Sequence, residues 1–238
     1  MLTTEIISET TPDVANAWAY ALLAALAPGM SLARVGATMS QQLLVQSRYV
    51  EHFPENICPL PGQGDSVYTP AACLQLFGQL AGTDVPENSV FGIVGTCRRS
   101  ENGRWAPPYR LKEFDVLELV VFGSAVTVRS RLQRWEVAFG TFMELIGLGG
   151  TFIGADDSFA FGQSPNARLY QRLMRSKREY RVKVSDGTMV ALASRNDHGY
   201  SLADRFGLHP HASGCFAVGL SRVAAFAHER GVLLPTVD

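Results

Sequence analysis

The sequence predicts an α+β domain in which helices flank an antiparallel β-sheet. Two observations carry the prediction: predicted strands follow one another through hairpins, and helical patterns lie in separate runs. A third is composition, since 47% of the 238 residues are hydrophobic and 18% are charged. This is enough apolar material for one large core, so residues 1–238 are expected to form a single domain.

Charge and hydropathy exclude several classes of protein. The formal net charge of −1 gives no global field for nucleic acid. No run of 18 apolar residues is present, so we expect no membrane span. The start of the chain, residues 1–13, is polar and acidic, unlike a secretory signal, and we expect a cytoplasmic protein. No CxxC pair marks a local metal site.

The first elements are helical. Thr11-Pro12 begins a predicted helix that ends at Pro28-Gly29, because proline suits a first turn and the second pair breaks a helix. Residues 54–70 are rich in proline and glycine and are expected to form a loop. Thr69-Pro70 then begins a second helix, which carries Cys73.

Two strands are predicted next, over residues 90–99 and 110–122, joined by a polar loop over 101–108. The second strand is apolar on both alternating faces, which is typical of a central strand covered on both sides. Glu118 interrupts this pattern. A carboxylate there is costly to desolvate unless it is paired or binds a metal, so a structural salt bridge and a functional group both remain open.

Helices are predicted over residues 126–146 and 165–178. A hairpin with its turn at 185–187 follows. A short apolar strand then runs into a last helix within residues 213–222.

Three short patterns occur in order: Arg99-Ser100-Glu101 ends a strand, Arg110-x-x-x-Phe114 lies on the next strand, and Gly219-Leu220-Ser221-Arg222 opens the last helix. Together they resemble the second and third motifs of the class II aminoacyl-tRNA synthetases. The resemblance implies ATP-dependent activation of a carboxylate. In that reaction negative charge builds on phosphate oxygens, which the planar fork of arginine binds well.

The resemblance also implies a role for each of these residues. Arg99 would hold the α-phosphate, and Arg222 and Arg110 would contact the far phosphates, with Arg99 and Arg222 as the catalytic pair. Phe114 would stack on adenine, and Glu101 would accept a hydrogen bond from its amino group. The alternative is that the arginines are solvated surface charges and that Phe114 belongs to the core.

A narrower resemblance covers the chain from about residue 45 onward. It is to the amino acid:[carrier protein] ligases, relatives of the seryl-tRNA synthetase core. Residues 1–45 carry little of it and are treated as a divergent, helical N-terminal part. The matching segments are Tyr49–Pro54, Ala72-Cys73, Cys97–Glu101, Arg110-x-x-x-Phe114-x-x-x-Glu118, Ser194-x-Asn196-x-His198 and Ser213-Gly214-Cys215.

This resemblance implies a zinc site. In the ligases two cysteines and a glutamate hold Zn²⁺, and the matching positions are Cys73, Glu118 and Cys215. The α-amino group of the substrate would take the fourth position, with Glu118, Ser194 and Asn196 at the amino-acid end. Because Glu118 lies about 13 Å along its strand from the residue expected to stack on adenine, the two ends of the pocket would be separate.

A magnesium site is less well specified. The synthetases place a carboxylate shortly before the position of Ser194-x-Asn196, as a Mg²⁺ ligand. Here the place is taken by Val190, Ala191 and Leu192. The ligands of Mg²⁺ therefore stay open, although ATP chemistry needs the ion.

Four functions remain: a ligase that loads a small amino acid onto a carrier-protein thiol, an aminoacyl-tRNA synthetase, an enzyme that passes the adenylate to another acceptor, and a non-catalytic paralogue. We favour the first, as a homodimer like most class II cores. A seryl-type enzyme carries a long charged helical arm before its core, whereas the residues before Cys73 are apolar or proline-rich, so tRNA is an unlikely partner.

One local feature favours an acyl or peptidyl carrier protein as partner. Seven basic residues and one acid lie between Arg168 and Lys183. On a helix Arg168, Arg172 and Arg175 would share a face, and an acidic carrier would be steered to it. The alternative is an ordinary solvated helix face.

Overall fold

A computed structural model describes residues 12–155 and 176–232. The strands are β1 Leu32–Arg34, β2 Thr38–Ser40, β3 Ser66–Tyr68, β4 Val90–Arg98, β5 Glu113–Gly123, β6 Thr151–Gly154, β7 Lys177–Lys183, β8 Met189–Gly199 and β9 Ala212–Gly219. The helices are α1 Pro12–Leu26, α2 Gln41–Gln46, α3 Tyr49–His52, α4 Cys73–Leu80, α5 Ala125–Leu145, α6 Ser201–Arg205 and α7 Leu220–Glu229. Short 3₁₀ turns cover Pro54–Asn56 and Glu101–Gly103.

Seven strands form one sheet in the order β1-β4-β5-β9-β8-β7-β6. The β1–β4 pair is parallel and every other neighbouring pair is antiparallel. Strands β2 and β3 form a separate antiparallel ribbon. The predicted α+β class, with an antiparallel sheet flanked by helices, is confirmed.

Apolar side chains cover both faces of the central strands, which explains the absence of polar alternation in β5. On one face α1, α5 and α7 pack through a core that includes Trp135, Phe139 and Phe216. On the other face α4 packs through a second core that includes Phe77 and Phe122. Above the middle of the sheet this second core leaves a cavity, which is the candidate site.

The largest error of the sequence prediction concerns residues 165–178. The structure places Lys177 and Arg178 at the start of β7 and not on a helix. Tyr180 and Val182 are both buried in the core under α5. Burial of every second residue is the pattern of a strand and not of a helix. Residues 165–175, with Arg168, Arg172 and Arg175, lie outside the described residues.

Several boundaries also differ from the prediction, and α4 begins at Cys73 and not at Thr69-Pro70. Helix α1 ends at Leu26, two residues before the Pro28-Gly29 pair. Strand β5 begins at Glu113 and not at residue 110, because Ala106 and Arg110 pair with each other and close a tight turn before the strand. Among the described helices, none is both long and apolar enough to cross a membrane.

Candidate functional site

A cavity of about 810 Å³ lies over the sheet on the α4 side. Every residue that the sequence predicted to bind ATP, the amino acid or a metal lines this one cavity: Cys73, Arg99, Glu101, Arg110, Phe114, Glu118, Ser194, Asn196, Cys215 and Arg222. The sheet register explains how they meet. Glu118 pairs with Ala217, which pairs with Ser194, and Cys215 in the next row pairs with Asn196.

Three buried side chains form a compact group at one end of the cavity. The ligand atoms of Cys73, Glu118 and Cys215 all lie within 4.8 Å of one another. Cys73 is the first residue of α4, and its backbone N–H donates to Oε2 of Glu118 at 2.7 Å. The group therefore joins the start of a helix to the two central strands of the sheet.

The three acidic side chains of this group perturb one another's pKa values. Burial, together with the neighbouring Cys215, raises the pKa of Glu118 to about 7. Hydrogen bonding between the two thiols lowers the pKa of Cys215 and raises that of Cys73. A metal ion would reverse these costs, because thiolate and carboxylate are its ligands in their charged forms.

A structural salt bridge does not account for the buried position of Glu118. Among the described residues no ion pair involves this carboxylate. Two thiolates and a carboxylate are a donor set that Zn²⁺ accepts, with a fourth position left for a substrate. The residues present therefore fit a zinc ion.

Asn196 and His198 support the thiol end of this group. The side-chain amide of Asn196 donates to Sγ of Cys215 at 3.4 Å and to Oγ of Ser194 at 3.3 Å. His198 is buried with Nδ1 3.2 Å from Oγ of Ser213, and its imidazole also lowers the pKa of Cys215. These contacts fix the orientation of Cys215, as neighbours of metal ligands commonly do.

Cys97 lies close to this group but does not belong to it. Its side chain is 1% exposed, and burial raises its pKa to about 12. A thiol held in its neutral form packs as a small apolar group. Cys97 also lines the cavity, but its burial is that of a core residue.

Arg99 and Phe114 lie together at the other end of the cavity. The guanidinium carbon of Arg99 is 5.1 Å from the centre of the Phe114 ring. Nε of Arg99 donates to the carbonyl oxygen of Pro70 at 2.8 Å, and the indole N–H of Trp105 donates to the Arg99 carbonyl at 3.2 Å. Both the side chain and the backbone of Arg99 are therefore held by the surrounding structure.

Two further arginines border this end. Nε of Arg110 forms an ion pair with Oε2 of Glu101. Arg222 is held from both sides, since its Nε donates to the carbonyl of Tyr109 at 2.7 Å and its Nη1 to that of Ala191 at 3.0 Å. Burial and the nearby Arg99 lower the pKa of Arg222, but a guanidinium stays protonated in proteins. This end of the cavity is thus lined by several fixed cations.

The sequence analysis missed three charged residues in the cavity wall. Lys177, Glu179 and Arg181 alternate along β7 and face the cavity, and both cations pair with Glu179. From the sequence they were counted only within the basic segment from Arg168 to Lys183. Arg178 points to the opposite side of the sheet and pairs with Glu136 on α5. The K-x-E-x-R alternation was the available signal, but it is only five residues long.

The described cavity has no carboxylate at the position where the synthetases place a Mg²⁺ ligand. Residues 190–192 line the cavity, as predicted, but they are apolar. The carboxylates on the same side already have partners. Glu179 binds two cations, Glu229 accepts from the hydroxyl of Tyr109, and Asp186 accepts from the N–H of Thr188.

No protein-family model matches the sequence, and no curated protein is significantly similar to it. Solved structures do resemble the fold. The cytoplasmic serine-tRNA ligase of Naegleria fowleri, in complex with AMP, superposes with a TM-score of 0.76 at 13% identity over 94% of this chain and 56% of that one.

Two other synthetases are similar in the same way. Pyrococcus horikoshii seryl-tRNA synthetase complexed with ATP gives a TM-score of 0.69 at 15% identity, over 90% of this chain and 50% of that one. Giardia lamblia prolyl-tRNA synthetase with prolyl-adenylate gives 0.71 at 13% identity, over 94% and 48%. The chain thus spans about half the length of these proteins, and the likeness establishes the fold.

Proposed function

We propose that this protein, which has the fold of a class II aminoacyl-tRNA synthetase catalytic core, uses ATP to activate a small amino acid as an aminoacyl-adenylate and passes it to the phosphopantetheine thiol of a carrier protein. The observation that carries the proposal is a single cavity with two chemically different ends. Cys73, Glu118 and Cys215 form one end, and Arg99 with Phe114 forms the other.

The first end binds the amino acid. Cys73, Glu118 and Cys215 would hold Zn²⁺, which would supply a Lewis-acid position for the α-amino nitrogen of the substrate. Asn196 and Ser194 line the space beside it, and Asn196 is held in place by the hydrogen bonds that it donates to Cys215 and to Ser194. With its amino group fixed here, the substrate directs its carboxylate toward Arg99.

The second end binds ATP. Phe114 stacks on adenine, and Glu101 accepts from its exocyclic amino group. Arg99 binds the α-phosphate, and Arg110 and Arg222 bind the far phosphates. ATP is expected to bring Mg²⁺ coordinated by its own phosphates and by water, because the carboxylates of this wall are engaged.

The chemical step needs positioning and charge rather than a protein nucleophile. A carboxylate oxygen of the amino acid attacks the α-phosphorus, the bond to the bridging oxygen breaks, and pyrophosphate leaves. Arg99 and Arg222 offset the negative charge that builds on the phosphate oxygens. Their contacts with Pro70, Tyr109 and Ala191 hold these cations before the substrate arrives.

The acceptor step transfers the aminoacyl group. The thiolate sulfur of phosphopantetheine attacks the carbonyl carbon of the adenylate, and AMP leaves with the bonding electron pair. Support for this acceptor comes from the resemblance to the carrier-protein ligases and from the basic residues Arg168, Arg172 and Arg175. A homodimer belongs to the same proposal, by analogy with class II cores.

A specific observation keeps a second candidate open. The similar solved structures are by name tRNA ligases. Transfer to tRNA or to another biosynthetic acceptor would use the same cavity, because the acceptor meets only the finished adenylate. A non-catalytic paralogue would retain the fold but catalyse no adenylate formation.

Two successive experiments separate these functions. ATP–pyrophosphate exchange is measured with zinc-loaded protein against a panel of amino acids. Exchange that depends on a small amino acid supports activation. An absence of exchange with every amino acid tested would refute it. Mass spectrometry of holo-carrier incubated with enzyme, ATP and the active amino acid then tests the acceptor, with tRNA charging as the competing result.

A further inference from the structure

The wall of the cavity beyond the amino-acid end is charged. Nζ of Lys177 lies 3.1 Å from Oε1 of Glu179, and Nε and Nη2 of Arg181 bind Oε2 of the same carboxylate at 2.9 and 2.7 Å. Lys177 and Glu179 are each only 9% exposed. Two cations of this wall therefore contact the same carboxylate.

The sheet places this wall next to the amino-acid end. Lys177 pairs in register with Asn196, which pairs with Cys215, so the α-carbons of Lys177 and Cys215 are two strand spacings, or about 10 Å, apart. Glu179 pairs with Ser194 in the adjacent row. An occupant beside Asn196 and Ser194 therefore faces Lys177 and Glu179.

The orientation of the substrate follows from the two ends already assigned. Its amino group lies at the group formed by Cys73, Glu118 and Cys215, between α4, β5 and β9. Its carboxylate points toward Arg99, which follows β4 on the far side of β5. The direction left for the side chain is across β8 toward β7.

We propose that Lys177, positioned by Glu179, is the specificity-determining residue for the amino acid. It selects a short side chain that carries an oxygen acceptor, a hydroxyl or a carboxylate, over an aliphatic side chain of the same size, and it disfavours a cationic one. This inference rests on the proposed function and deepens it.

The selection has a physical cause. An aliphatic side chain would displace water from the ammonium of Lys177 without returning a hydrogen bond, whereas an oxygen acceptor returns one. A site built to bind a polar group therefore discriminates against the analogue that lacks it. The ion pair with Glu179 is kept with either side chain, so only the hydrogen bond to the substrate differs. We therefore expect the oxygen-bearing amino acid to be preferred over the aliphatic one by about 10- to 100-fold.

A purely structural ion pair is the alternative, and the same strands provide one for comparison. On the opposite face of the sheet Glu136 binds both Arg178 and Arg195, away from the cavity. Arg178 is the immediate neighbour of Lys177 in β7. Removal of Arg178 should affect stability but not the choice of substrate.

The test compares amino acids in the ATP–pyrophosphate exchange assay. Wild-type protein, Lys177→Met, Lys177→Arg and Arg178→Met are each assayed with serine and aspartate, with alanine and 2-aminobutyrate, and with 2,3-diaminopropionate. The quantity compared is the ratio of kcat/KM between amino acids on one preparation. This ratio is independent of the fraction of folded protein, so a partly unfolded variant still gives an answer.

The wild-type protein and Arg178→Met should prefer an oxygen-bearing amino acid by about 10-fold or more. Lys177→Met should lose most of that preference, and Lys177→Arg should retain part of it. The inference is overturned if the wild-type protein prefers alanine or 2-aminobutyrate, or if Lys177→Met leaves the ratio unchanged. If exchange is absent with every amino acid, the proposed function itself is refuted, and this inference with it.

Discussion

The backbone N–H of Cys73 donates a 2.7 Å hydrogen bond to Oε2 of Glu118, which ties the first turn of α4 to the centre of β5. This contact brings a thiol and a carboxylate together in a buried place where neither ionises easily. The amino-acid end of the cavity is thus built around a bond between two elements that are distant in sequence.

The first prediction concerns the metal. Purified protein should contain close to one zinc per chain by elemental analysis. Cys215→Ala should lose it, because the two remaining ligands hold zinc poorly. Cys97→Ala is the matched control, since Cys97 is equally buried but lies outside the group. Full retention of zinc in Cys215→Ala would contradict the assignment.

The second prediction concerns Arg99. Arg99→Ala should lower the rate of pyrophosphate exchange by roughly 10²-fold or more, as loss of one charge-stabilising donor typically does. Arg98→Ala is the control, because Arg98 stacks on Tyr68 and pairs with Glu113 instead of lining the cavity. A near-normal rate in Arg99→Ala would mean that another cation holds the α-phosphate.

The third prediction concerns Phe114. Phe114→Leu should raise the KM for ATP by about 10-fold, because stacking on a base contributes about 1–3 kcal/mol and leucine returns only part of it. The KM for the amino acid should stay nearly constant, since that substrate binds at the other end. Steady-state exchange kinetics with each substrate varied in turn provide the measurement. A change confined to the amino-acid KM would place adenine elsewhere.

The fourth prediction concerns packing beneath the site. A Cβ on Gly214 would lie 2.7 Å from Cδ1 of Leu132 and 3.0 Å from the carbonyl oxygen of Asn196. Gly214→Ala should therefore lower the free energy of unfolding by about 1–3 kcal/mol. Gly140→Ala is the control, because nothing lies within 4 Å of its new Cβ and alanine favours helix α5. Urea unfolding of both variants checks this, and equal stabilities would contradict it.

The fifth prediction concerns the acceptor. Reversal of charge at Arg172 and Arg175 together should slow the loading of an acidic carrier protein and leave pyrophosphate exchange nearly intact. The defect should shrink as salt is added, since screening already weakens the wild-type encounter. Mass spectrometry of the carrier measures loading. If tRNA is charged and no carrier is loaded, the carrier proposal is wrong.

The sequence predicted much of the fold because the central strands are long and distinctly patterned. The apolar run of β5 indicated a covered strand, and Glu118 inside it indicated either a structural salt bridge or a functional carboxylate. The same method misplaced residues 177–178, because the basic residues at 168, 172 and 175 have helical spacing and the strand that follows is short. A period-2 pattern over a few residues is easily masked by a longer helical pattern beside it.

The sequence by itself thus determined which chemistry is available: two cysteines and a glutamate, three arginines in motif-like order, and an aromatic ring on a strand. Only the tertiary structure decided that these groups share one cavity, and that Lys177 pairs with Glu179 in its wall instead of extending a basic surface. The reason is strand register. A side chain's neighbours across a sheet are fixed by which residues pair, and pairing depends on how the whole sheet packs between its helices.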